Sequence, residues 1–423
     1  MTVLILNRSA MSYSAYHEWF DLPPETPLIY FSSPGRRDLS GPEQVAADCH
    51  YAKIREYADY DTSDQLECDV LDLHAHSPVR AIVAMSEWDQ VRAGRLRRLL
   101  GLSGTEETTA TAYRDKLIMK EYLSRERVPV TEFCTADNMT NLVEFIERVG
   151  YPVIVKPRLM AGSVGLNVLS NFDDLSRFAQ GGFGPAMETQ HLQMVEKLVN
   201  VRTEYHIDGI IVDGSLRFIW PSRYVGAVSD FASDSLFGAI MLSPDHPQRK
   251  PLCALVERTI QALPDLTTST FHAEVFETED GQLLLNEIGC RTGGFRVNDL
   301  IKAGFGLWLN REWARLQAGL VAHVAPPELP KQLAGYLLLR PRQGIVREIP
   351  SHCPMPWIFD YRTDARPGDC FAGNVSSTSQ LASVVVTGQS ESDVEQRLQE
   401  VYEWFYAALR LEPIEVPEAK GVL

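Results

Sequence analysis

The segment YPVIVKPRLMAGSVGLNVL (Tyr151–Leu169) ends an apolar run, Val153-Ile154-Val155, on Lys156-Pro157. A loop with Gly162, Ser163 and Gly165 follows, and apolar residues then resume. The apolar run reads as a strand whose last position carries a cation. Glycines let backbone N–H groups approach an anion, and a lysine at the strand end adds a point charge. A strand, a glycine loop and a second strand of this kind suit a nucleotide triphosphate. The pattern is not G-x-x-x-x-G-K-[ST], because Lys156 precedes the glycines. Taken alone, the same residues also describe an ordinary glycine-rich hairpin.

Two further clusters bear on that choice. In QMVEKLVNVRTEYHIDG (Gln193–Gly209), Glu196 and Lys197 end one apolar strand and Glu204 opens the next. A carboxylate there can accept from an adenine amino group or from ribose hydroxyls, with connecting backbone along the adenine edge. Exposed charges flanking a loop have the same pattern. In FHAEVFETEDGQLLLNEIGCRTGG (Phe271–Gly294), Asp280-Gly281 signals a two-residue hairpin turn. That turn sets Glu274 opposite Glu287 and His272 opposite Gly289, with Arg291 beyond the strand end. Facing Cβ atoms lie roughly 5 Å apart. Two carboxylates at that distance repel, and a bound Mg²⁺ resolves the repulsion while keeping phosphate oxygens as further ligands.

The chain has 423 residues, 45% of them hydrophobic, enough for two or three domains with cores. Its formal charge of −16 excludes a global basic footprint for nucleic acid or anionic membrane. Seven cysteines are scattered without a C-x-x-C pair, against a disulfide framework or a zinc site. Met1–Arg8 reads as a first strand rather than a signal peptide. No apolar run reaches membrane-spanning length, so a cytoplasmic protein is expected.

Strand signals at Val3–Leu6, Leu28–Phe31 and Ala81–Met85 alternate with helices, including Gln90–Leu100, and predict an open α/β sheet. Arg92, Arg95, Arg97 and Arg98 read as a solvated helix face. The segment Val324–Pro330, VAPPELP, reads as a linker. The expected division is an N-terminal α/β domain over 1–110, a middle domain over 111–325 and a C-terminal α+β module over 326–423 packed on the preceding lobe. The middle domain splits into a small lobe over 120–200 and a large lobe over 201–325.

With RDKLIMKEYL (Arg114–Leu123), these clusters resemble, in order and spacing from Ala81 to Gly319, the ATP-grasp superfamily, in particular its carboxylate–amine ligases and amino-acid ligases. The resemblance implies a mixed α/β ATP-grasp fold, with ATP and Mg²⁺ or Mn²⁺ as cofactors. It implies that Lys116 and Lys156 contact phosphate and that Gly162, Ser163 and Gly165 close over the triphosphate. Glu196 would lie near the adenine amino group, Lys197, Leu198 and Val199 under the base, and Glu204 at the ribose. Glu274 and Glu287 would hold the metal, and Arg291 would stabilise charge at the acyl centre. The sequence departs from the family at Gly289, where relatives place a metal-binding asparagine; a second metal ion would either lack one protein ligand or draw on Asn286 instead. The glycine usual before the ribose glutamate is also missing from NVRTEY.

The implied reaction forms an acyl phosphate from ATP and a small carboxylate, then an amide with a small amine, releasing ADP and phosphate. One other reading gives the acyl group to the thiol of an acyl carrier protein, docked near Arg92–Arg98. Another is a nucleotide-binding regulatory module without turnover. His272 is either a substrate contact or proton shuttle, or a hydrogen-bonded structural histidine. Cys290 reads as structural. A homodimer is left open; no nucleic acid or membrane partner is expected.

Overall fold

The opening apolar run forms the strand Thr2–Asn7, all six residues buried. It lies between Leu28–Ser32 and Val79–Ala84, with Lys53–Glu56 beyond, in a four-stranded parallel sheet. A parallel sheet covered on both faces needs continuous apolar strands, which is why this one lacks alternation. The computed structural model describes residues 2–160, 162, 164–181, 192–226, 236–322, 327–372 and 379–414. Residues 324–326 of the expected linker, and Ser163, therefore lie outside the described residues.

The helix Glu87–Leu100 follows the parallel sheet. Ser86 caps it by accepting from the Trp88 amide, and Gly101 ends it in a left-handed conformation. Its arginines do not form one solvated face. Arg92 and Arg95 pair with Glu67, and Arg95 and Arg98 with Glu107. Arg97 is buried, donating to the Ile82 and Thr105 carbonyls and to Gln317. A buried guanidinium needs acceptors within the fold, and this one ties the parallel sheet to the helix Leu309–Gln317. The basic patch offered for an acidic carrier is thus neutralised by glutamates or buried.

The quoted segment supplies Val153–Pro157 and Asn167–Leu169 to an antiparallel sheet ordered Phe133–Thr135, Gln193–Lys197, Val153–Pro157, Asn167–Leu169. Val153, Val155 and Val195 pack against Leu142, Phe145 and Ile146 of the helix Met139–Val149. Strand alternation then leaves Ile154, Lys156 and Glu196 on the opposite face.

The largest sheet is antiparallel with eight strands. In spatial order these are Leu283–Gly289, Ser269–Thr278, Val201–Val212, Ser215–Val225, Phe237–Met241, Leu333–Leu339, Ala382–Gly388 and Ile358–Thr363. The helix Val297–Phe305 packs on it, with Phe305 edge-on to Phe218 and Trp220. Three of these strands come from beyond residue 326, and Phe237–Met241 pairs directly with Leu333–Leu339. The C-terminal segment therefore continues the sheet of the lobe before it, because the edge of Phe237–Met241 needs a partner. It also keeps a small sheet of its own, Cys370–Phe371, Gly344–Glu348 and Arg410–Glu412.

The acidic hairpin reaches its register by a different route from the expected one. Thr278 and Gln282 bond across a three-residue loop with Gly281 at φ 84°, a common hairpin geometry. Near the turn Phe276 pairs with Leu284 and Val275 with Leu285. Asn286 is then an extra residue, a β-bulge, and beyond it Glu274 pairs with Glu287 and His272 with Gly289. The loop shifts the register by one residue and the bulge restores it.

Gly238 marks the tightest approach within the large sheet: a Cβ there would lie 1.9 Å from the Tyr336 carbonyl oxygen. Gly238→Ala is expected to cost about 2–3 kcal/mol. Urea unfolding should show a lower midpoint at an unchanged slope.

Candidate active site

A cavity of about 900 Å³ is lined from the four-stranded and eight-stranded antiparallel sheets. Lys116, Lys156, Gly162, Glu196, Lys197, Leu198, Val199 and Glu204 line it, as do His272, Glu274, Glu287 and Arg291. Of the described candidates only Gly165 is absent from its wall. Gly165 lies back against Pro157, where its φ of 78° and a Cβ clash at 2.8 Å both demand glycine.

Lys116 opens the helix Lys116–Arg125. Asp115 caps that helix by accepting from the Leu117 and Ile118 amides, and is itself clamped by Arg158 at 2.6 Å. This fixes Lys116 Nζ 2.9 Å from Glu287 and 2.7 Å from the Met160 carbonyl. Burial opposes the lysine's charge, but Glu287 and Glu87 outweigh it and the pKa rises. Burial likewise opposes the Glu287 charge, and Lys116 and Lys156 overcome it, bringing its pKa to about 2. Glu204 moves the other way: burial, then Glu274 and Glu287, push its pKa well above the usual carboxylate range.

Three crowded carboxylates, one of them pushed up by burial and by the other two, mark a place that favours a cation. The bulge adds Asn286 to this set. Its Nδ2 lies 3.2 Å from Glu274 Oε2, and its Oδ1 3.5 Å from Lys156 Nζ. Two carboxylates and an amide oxygen are hard donors and fit Mg²⁺ or Mn²⁺.

Sequence reasoning missed Lys120, which is fully buried. Its Nζ lies 2.7 Å from Glu196, and Lys156 Nζ reaches the same carboxylate oxygen at 3.0 Å. Thr131 contacts the other oxygen at 3.2 Å. Burial lowers the Lys120 pKa to about 8 despite Glu196. Burial would raise Glu196, yet the two lysines hold it at about 2. The carboxylate expected at the adenine amino group is thus shared by two ammoniums. The available signal was the i, i+4 spacing of Lys116 and Lys120, which puts both on one helix face.

His272 is both hydrogen-bonded and on the cavity wall. Its Nδ1 lies 2.8 Å from Asp208 Oδ1, while Asp208 Oδ2 holds His206 Nδ1 at 2.6 Å. Burial lowers the His272 pKa, but Asp208 outweighs it and lifts it to about 9. His272 Nε2 lies 3.7 Å from Glu274. The alternation of Glu204, His206 and Asp208 along one strand was the sequence signal for this group. Arg291 donates from Nε to Glu87 at 3.0 Å and from Nη1 to the Thr292 carbonyl at 3.1 Å. Phe295, also on the wall, has a left-handed backbone at φ 54°, a strain of order 1 kcal/mol or more.

The shared carboxylate predicts a double-variant result. Glu196→Gln strands Lys120 without an anionic partner and is expected to cost about 3–5 kcal/mol. Adding Lys120→Met should recover most of that loss, measured by chemical denaturation.

Residues 121–294 match the family model described as ATP-grasp domain. The L-arginine-specific L-amino acid ligase of Bacillus subtilis is 27% identical over 349 residues, covering 80% of this chain and 83% of that protein. The crystal structure of L-amino acid ligase from Bacillus licheniformis has a TM-score of 0.74 at 14% identity, covering 98% of this chain and 99% of that one. The biotin carboxylase domain of Hydrogenobacter thermophilus 2-oxoglutarate carboxylase, solved with MgADP and bicarbonate, has a TM-score of 0.71 at 14% identity, covering 98% and 91%. The segment with the lysine-ended strand, the glycine loop and the acidic hairpin matches an ATP-grasp domain, and over most of its length the chain is similar to L-amino acid ligases.

Proposed function

We propose that the chain is an ADP-forming carboxylate–amine ligase whose acid substrate is an amino acid. The observation that carries this reading is the convergence of Lys116, Lys156, Glu274, Glu287 and Arg291 on one cavity. Its volume of about 900 Å³ is at the upper end for a small-molecule site, enough for a nucleotide beside a small acid. The Bacillus subtilis relative, named as a ligase of L-amino acids, supports the substrate class. The MgADP complex of a structural neighbour supports the cofactors.

In the proposed reaction the acid's carboxylate oxygen attacks the γ-phosphorus of ATP. The bond from that phosphorus to the β–γ bridging oxygen breaks, ADP leaves and an acyl phosphate forms. The amine nitrogen then adds to the acyl carbon, loses a proton and expels phosphate, closing the amide. Lys116 and Lys156 offset charge on the transferring phosphoryl group. A divalent cation held by Glu274, Glu287 and Asn286, when bound, supplies further neutralisation. Glu204 takes the ribose hydroxyls, Lys197 to Val199 flank the adenine, and the loop at Gly162 covers the phosphates.

Arg291 follows the acidic pair in the chain and stabilises the oxyanion at the acyl carbon. His272, with Nδ1 committed to Asp208, presents Nε2 as a hydrogen-bond donor to substrate. No protein nucleophile is required; the buried Cys290 thiol, pushed up to about 12 by burial, is unsuited to that part.

The test is ADP release across a panel of amino acids paired with amines, with products read by mass spectrometry. Acid-dependent ADP release and an amide product are expected, and hydroxylamine should trap the acyl phosphate as a hydroxamate. Stoichiometric AMP would overturn the reaction type, and nucleotide binding without acid-dependent turnover would point to a regulatory module. Lys156→Ala should lower kcat/KM for ATP on the order of 10²-fold. Glu287→Gln should abolish ADP formation and cost about 1.5–3 kcal/mol of stability, because Lys116 loses its charged partner.

A further inference from the structure

The N-terminal domain brings to this site a carboxylate that the proposed chemistry does not use. Glu87 is the first residue of its helix, where the helix N-terminus favours an anion. Its oxygens are divided between two arginines: Oε1 accepts from Arg114 Nη1 and Oε2 from Arg291 Nε, both at 3.0 Å. The neighbouring Trp88 ring stacks on the Arg114 guanidinium at 4.2 Å, which further fixes this corner. Glu87 is 17% exposed, so the ion pairs are partly withdrawn from water.

Arg291 itself is folded back on its own strand. A Cβ at Gly289 would lie 3.6 Å from Arg291 Cγ and 3.7 Å from Nε. With Nη1 on the Thr292 carbonyl and Nε on Glu87, the guanidinium is held along two donors. Glu287 shares a small cavity with Arg291 and Glu87, and Glu274 and Glu287 line the larger cavity with Arg291. A guanidinium matches paired carboxylates well, since its fork can bond both. Freed from Glu87, Arg291 has these two as its remaining anionic partners.

We propose that Glu87 is a positioning residue that holds Arg291 off the Glu274–Glu287 pair and so keeps that pair available to a divalent cation. The proposal rests on the assignment of Glu274 and Glu287 as cation ligands. It gives the N-terminal domain a part in metal binding although none of its residues touches the metal. A single carboxylate, 204 residues from Arg291 in sequence, keeps two cations of different kinds from competing for one site.

The experiment is Mn²⁺ binding in the presence of ADP, followed by the electron paramagnetic resonance signal of free Mn²⁺. It uses the full chain, Glu87→Gln, Arg291→Ala and the double variant. Glu87→Gln is expected to weaken Mn²⁺ binding on the order of tenfold, comparable to one partly buried ion pair forming on the ligands. In the Arg291→Ala background the same substitution should have no further effect. An equal loss in both backgrounds would mean simple removal of a negative charge, and would overturn the proposal. Unchanged Mn²⁺ binding in Glu87→Gln would overturn it as well. Absence of ADP-dependent Mn²⁺ binding in the unaltered chain would instead remove the ligand assignment on which the proposal stands. Should Glu87→Gln fail to fold, Glu87→Asp carries the test: its shorter carboxylate loosens Arg291, and the loss should again vanish with Arg291→Ala.

Discussion

Two carboxylates facing each other across an antiparallel pair are the constraint from which this site is built. Glu274 and Glu287 oppose each other directly, and like charges so placed destabilise a sheet. The surroundings answer with counter-charge from separate segments. Lys116 comes from a helix N-terminus, Lys156 from the end of a strand in another sheet, and His272 from two residues along the same strand. Glu204 adds a third carboxylate, whose pKa is pushed up by burial and by the other two. Together they make a cavity wall in which each cation sits beside a carboxylate.

The polar groups are imposed on an otherwise apolar fold by ordinary secondary-structure geometry. Helical spacing sends Lys116 to Glu287 and Lys120 to Glu196, so one helix serves the eight-stranded and the four-stranded sheets. Strand alternation puts Glu204, His206 and Asp208 on one face of Val201–Val212, while Tyr205, Ile207 and Ile211 enter an apolar core. The bulge at Asn286 breaks the alternation of Leu283–Gly289 and brings its amide to 3.2 Å from Glu274. Buried ion pairs of this kind add little net stability, because desolvation offsets attraction. Their effect here is to fix the position of charges.

The parts of the fold written in local pattern were legible: the parallel strands, the lysine-ended strand and the opposition of the hairpin glutamates. The hairpin also shows how a local rule can reach the right pairing through the wrong turn, since the shift at Gly281 and the bulge at Asn286 cancel. What escaped was non-local. Nothing near Glu87 indicates that its partner is Arg291, and the alternation of His206 and Asp208 on one face does not say that the partner is His272, 64 residues away. Arg97 sits in a run of basic residues, and only the tertiary fold shows that it alone is buried. The C-terminal strands were visible as strands, but joining them to the large sheet needs Phe237 to find Leu338, a pairing no turn signal specifies.

That last pairing shapes how the chain must come into being. The acidic hairpin is complete once residue 289 has been made, yet Phe237–Met241, buried at all five positions, keeps an unpartnered edge until the strand ending at Leu339 follows. During synthesis at typical rates, that interval lasts on the order of ten seconds. Through it a nascent chain with its charged pocket already assembled presents an apolar strand to any other polypeptide nearby. Escape from aggregation therefore depends on translation speed and on whatever shields that edge, so a pause placed after residue 241 should be more harmful to yield than one placed after residue 339.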